Sequence, residues 1–124
     1  MDRDEFIRRL VLNEIVDDYE NVDQIIEPVV VRFAAKLGWT IDRPEIVSRL
    51  TELVEGGFVK AFRLSPFPPH STQLEGMPPL PVEEYFETYF YPTVKGFDLH
   101  RSWDPWWPFN KDEEFLGWTG DHLT

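Results

Sequence analysis

The chain contains no cysteine, which excludes disulfides, thiolate zinc sites and thiol nucleophiles. That absence fits a reducing compartment. No uninterrupted apolar run approaches the roughly 20 residues that a membrane-spanning helix needs. The opening Met1-Asp-Arg-Asp-Glu5 is charged, and the apolar stretch of a secretory leader does not follow it. The expected location is therefore the cytoplasm. Basic residues are also few. Lys and Arg number 12 against 23 Asp and Glu, for a net charge of -11. Nucleic-acid phosphates and anionic membrane surfaces are both repelled by such a chain on average.

Catalytic and metal-binding patterns are missing as well. His70, His100 and His122 form no His-x-x-x-His or Glu-x-x-His pair, and they read as surface histidines. Asp17-Asp18-x-Glu20 places consecutive acids in different directions around a helix, so it reads as a solvated helix end. There is no Gly-rich phosphate loop and no nucleophile elbow. Neither enzymatic activity nor a cofactor is expected.

What is present is the material of one domain: 124 residues, 42% apolar and 15% aromatic. Helical spacing over 4–20 places Phe6, Ile7, Leu10, Val11, Leu12, Ile15, Val16 and Tyr19 around more than half of the circumference. Such a helix is either sunk in its own domain or shared with a second subunit through Leu12 and Val16. The second case makes the protein a homodimer. A second helix is expected over 22–37, capped by Asn21 and ended by Gly38. Pro28 either bends that helix or starts a shorter one. A third helix begins at Asp42 with capping-box spacing to Glu45, and Gly56-Gly57 closes it. Strand patterns then cover 58–64 and 85–91, separated by a loop over 65–82 that carries six prolines. Thr93 is placed to cap a short helix.

The order helix, helix, helix, strand, long loop, strand resembles a winged helix-turn-helix domain. Residues 38–64, GWTIDRPEIVSRLTELVEGGFVKAFRL, are similar to the turn, third helix and first wing strand of MarR-like and PadR-like regulators. Residues 91–99, YPTVKGFDL, resemble the Thr-x-Lys-Gly segment that often follows their second wing strand. The resemblance implies an α+β fold of three helices plus a two-stranded wing with a long Pro-rich loop. It also implies a DNA-binding transcriptional regulator, with the third helix in the major groove and the wing on phosphates. The matching positions here are Arg43, Ser48, Arg49, Lys60 and Arg63.

The charges disfavour that role. Opposite the apolar face of the third helix lie Glu45, Ser48, Arg49, Thr51, Glu52 and Glu55, three carboxylates against one guanidinium. From Ser65 to Val94 there is no Lys or Arg, against Glu75, Glu83, Glu84 and Glu87. Phosphate contacts supply much of the affinity for DNA. A winged-helix regulatory or protein-interaction module is expected instead, with DNA binding as the alternative.

Two segments stand apart. Pro66-Phe-Pro-Pro69 and Pro78-Pro-Leu-Pro81 read as a stiffened wing, or as polyproline ligands for a protein partner. Residues 1–102 form the expected domain and 103–124 an aromatic tail with Trp103, Trp106, Trp107, Phe109, Phe115 and Trp118. The tail is too apolar to be left in water. It is expected to pack on the domain or on a second subunit, with Trp103, Trp106 and Trp107 at that contact. A stacking platform for a sugar, as in a carbohydrate-binding module, is the remaining alternative.

Overall fold

The computed structural model describes residues 2–16, 26–64, 66–78 and 88–117. Asp2 begins the first helix, its Oδ1 accepting from the Glu5 amide at 2.8 Å. This helix, α1 (Arg3–Ile15), buries Phe6, Ile7, Leu10, Val11, Leu12 and Ile15. Leu12 is 0% exposed within the single chain, and Val16 packs against the same core. Among the described residues, the apolar side chains of α1 are covered by the chain's own core, with Val16 half-buried at its edge.

Helix α2 (Glu27–Ala35) carries Pro28 in its first turn, so the proline starts a short helix and does not kink a long one. Asn21, and the acids Asp17, Asp18 and Glu20, lie outside the described residues. Gly38, at φ +76°, ends the α2 segment while the Trp39 amide donates back to the Ala34 carbonyl at 3.0 Å. That bond and the left-handed glycine make a Schellman stop.

Helix α3 (Arg43–Glu55) is capped as its sequence suggests, with Asp42 Oδ1 accepting from the Glu45 amide at 3.1 Å. The Glu45 side chain does not return the bond of a capping box. It instead pairs with Arg3 of α1. Gly57, at φ +81°, turns the chain into the sheet, and the Phe58 amide donates to the Leu53 carbonyl.

Strand β1 (Val59–Leu64) is the middle of an antiparallel sheet, between β2 (Ser71–Gln73) and β3 (Thr88–Pro92). The register sets Phe62 opposite both Gln73 and Tyr89. Val59, Ala61, Thr88, Phe90 and Pro92 point into the core. Helix α4 (Val94–Ser102) follows, capped by Thr93.

The described architecture is thus α+β with four helices and a three-stranded antiparallel sheet. This corrects the expectation of three helices and a two-stranded wing. The extra strand arises inside the proline-rich loop, where the Ser71-Thr-Gln73 run has no proline and pairs with the end of β1. The hairpin loop is thereby shortened to 65–70. The fourth helix, absent from the pattern the resemblance implied, is the short one expected after Thr93, whose Oγ1 accepts from the Gly96 amide at 3.1 Å.

Beyond α4 the chain folds back across α1 and α2. Trp106 sits edge-on to Phe6 and Phe109 against Phe6 and Phe33. The Arg9 guanidinium lies 4.8 Å from the Trp103 ring centroid. Phe109 and Phe115 bridge to each other, and Glu113 reaches Arg32 of α2 at 2.8 Å. Trp118 lies outside the described residues.

Candidate functional site

The residues matched to DNA contacts do not form one surface. Arg43 opens α3, and its Nη1 lies 2.6 Å from Glu27 at the start of α2. Arg49, in the middle of α3, lies 3.0 Å from Asp4 of α1 and 2.6 Å from Glu52 of its own helix. Ser48 is exposed on a different side of the helix. Lys60 and Arg63 are both exposed, on alternate faces of β1.

The polar side of α3 is a seam with α1. Arg3 grips both carboxylate oxygens of Glu45, at 2.9 and 2.8 Å, and also donates to the Thr40 carbonyl. Arg8 lies 3.8 Å from Glu52 and 2.7 Å from Glu5, which also takes Arg9. The pairs Arg3–Glu45, Asp4–Arg49 and Arg8–Glu52 climb both helices in the same sense. Glu45, Arg49 and Glu52 were expected on the outward, groove-facing side. They are instead turned toward α1, and their charges are matched there. The side left open carries Pro44, Ser48 and Glu55, with Thr51 half-buried and its hydroxyl donating to the Val47 carbonyl at 2.7 Å.

The Thr-x-Lys-Gly segment has a structural position that its resemblance did not reveal. Thr93 Oγ1 donates to the Gly57 carbonyl at 2.7 Å, and the Thr93 amide donates to that of Phe58 at 3.0 Å. Lys95 Nζ donates to the Gly56 carbonyl at 2.8 Å and lies 4.5 Å from the Phe58 ring centroid. Gly96 presses on the same corner, where any Cβ would fall 2.0 Å from the Phe58 carbonyl oxygen. The two most characteristic segments, Gly56-Gly-Phe58 and Thr93-Val-Lys-Gly96, therefore bind each other.

Trp103 and Trp106 are buried, Trp106 at 2% exposure, while Trp107 is 39% exposed and stands edge-on to Phe33. Of the three, Trp107 alone offers appreciable ring surface to a ligand. His70 is exposed. His100, expected at the surface, is half-buried with its Nε2 2.9 Å from Asn13 Oδ1. His122 lies outside the described residues. Among the described residues no group of His, Asp and Glu is placed to hold a metal ion, and no helix is long and apolar enough to cross a membrane.

The α1–α3 seam was partly legible. Arg3, Asp4 and Arg8 are opposite in charge to Glu45, Arg49 and Glu52, but their spacings differ and nothing local says which helices meet. No family model, curated protein or solved structure matches the chain.

Proposed function

We propose that the chain is a winged-helix-like regulatory or protein-interaction module without catalytic activity, and that duplex DNA is not its partner. One observation carries this reading: Arg43 and Arg49, the arginines best placed on α3 for DNA, are committed to Glu27 and to Asp4 and Glu52. Releasing them to phosphates would take these arginines from Glu27 and Asp4 and leave Glu52 with the more distant Arg8 alone, all beside a polyanion. Lys60 and Arg63 on β1 are too few to offset a net charge of -11.

The test is an anisotropy titration of labelled random-sequence duplex DNA at low salt. Repeated at physiological salt, the titration is expected to show binding no tighter than the weak nonspecific range, about 10⁻⁴–10⁻⁶ M. Much tighter binding, falling steeply as salt is raised, would overturn the reading.

A further inference from the structure

An arginine seated on an aromatic ring and held there by a carboxylate recurs in this chain. The Arg9 guanidinium lies 4.8 Å from the Trp103 ring centroid, and Glu5 accepts from its Nε at 3.1 Å. The Arg32 guanidinium lies 5.0 Å from the Phe33 ring centroid, and Glu113 accepts from its Nη2 at 2.8 Å. The ring face attracts the cation, and the carboxylate fixes its direction.

Trp107 has similar surroundings without the cation. Its ring stands edge-on to Phe33 at 4.9 Å, so it shares that neighbour with the Arg32–Glu113 pair, and it is 39% exposed. Its ring contacts are Phe33, Trp106 and Phe109, and among the described residues no cation lies over it. Asp112 and Glu114, on either side of Glu113, are exposed. Asn110 orders that turn, its Oδ1 accepting from the Asp112 and Glu114 amides at 2.9 and 3.0 Å. These carboxylates therefore lose little freedom on meeting a partner. From Trp103 to Gly117 there are four carboxylates against Lys111 alone.

We infer that Trp107 anchors a docking surface for a basic segment of a partner protein. An arginine of that segment stacks on the exposed part of the Trp107 ring, and the carboxylates of Asp112, Glu113 and Glu114 meet its charge. Arginine suits the place better than lysine, because its flat guanidinium stacks on a ring while still donating to carboxylates. The net charge of -11 also speeds the approach of a basic partner. The inference deepens the protein-interaction reading and rests on it. The duplex-DNA titration tests that reading separately, so the two failures are told apart.

The test is the anisotropy of a short labelled peptide of arginine, leucine and serine, titrated with the full chain at low salt. Circular dichroism verifies that each variant is folded. Saturable binding is expected, and Trp107→Ala should weaken it by about tenfold. Asp112→Asn with Glu114→Gln should weaken it by about threefold or more. Glu55→Gln with Glu75→Gln removes the same charge from exposed positions elsewhere, and should leave affinity within about twofold of the wild type. No saturable binding, unchanged affinity in Trp107→Ala, or equal losses in the two double variants would each overturn the inference. So would a chain that binds neutral oligosaccharides and not the peptide, which would assign the ring to sugar stacking.

Discussion

Truncation after Ser102 should lower the melting temperature sharply or leave a chain that aggregates. The reason lies in what the tail covers. Trp103, Trp106 and Phe109 are buried against Phe6, Phe33 and the Arg9 guanidinium. Burying one such side chain stabilises by about 1.5–3 kcal/mol. Three of them together rival the roughly 5–15 kcal/mol net stability of a small domain. Removing them would also expose Phe6 and Phe33 on α1 and α2. Single substitutions separate packing from ligand contact. Trp106→Ala should cost about 3–5 kcal/mol, while Trp107→Ala, at a ring already partly in water, should cost far less. Thermal and urea unfolding report both. Nearly unchanged melting of the truncated chain would mean that the tail serves something other than the fold.

The second large effect is expected at Gly96. Its φ is not in the left-handed region, so the demand for glycine is steric. An added Cβ would meet the Phe58 carbonyl oxygen at 2.0 Å and its carbon at 3.0 Å. These are backbone atoms of the α3–β1 corner and cannot swing aside as a side chain could. Gly96→Ala must push α4 away from that corner. The bonds from Thr93 and Lys95 to the Gly57, Phe58 and Gly56 carbonyls would be lengthened with it. A loss of about 3 kcal/mol or more is expected, at or beyond the upper end for overpacking. Lys95→Ala, which removes one exposed hydrogen bond and one ring contact, should cost about 1 kcal/mol. If Gly96→Ala melts with the wild type, the close approach of α4 to β1 is not as described.

These two sites show what was legible in the sequence. Local signals gave dependable elements: Asp42 before α3, Gly38 and Gly57 at helix ends, and Thr93 before α4 all act as their residue types suggest. The burial of Phe6, Leu10 and Ile15 follows from their helical spacing, whereas that spacing left Leu12 between the core and a subunit contact. Strand β2 was hidden because Ser71-Thr-Gln73 is short, polar and exposed, and its pairing with β1 is a tertiary fact. The orientation of α3 was misjudged for a related reason. Glu45, Arg49 and Glu52 look like a solvated face when the helix is considered alone. Only the partner helix reveals that Arg3, Asp4 and Arg8 await them. The Thr-x-Lys-Gly segment suggested a family pattern, but its work here is to clasp the α3–β1 corner.

The central claim is that the arginines of α3 serve the fold and not a nucleic acid. Its most direct test is the double variant Arg43→Ala with Arg49→Ala, measured for thermal unfolding and for duplex-DNA anisotropy at the same low salt. Both groups are partly exposed, at 27% and 18% side-chain exposure. The expected loss of stability is therefore modest, roughly 1–2 kcal/mol in total. The predicted result is a lowered melting temperature with the weak DNA signal unchanged. Unchanged melting together with lost DNA binding would contradict the claim and return α3 to the role of a recognition helix.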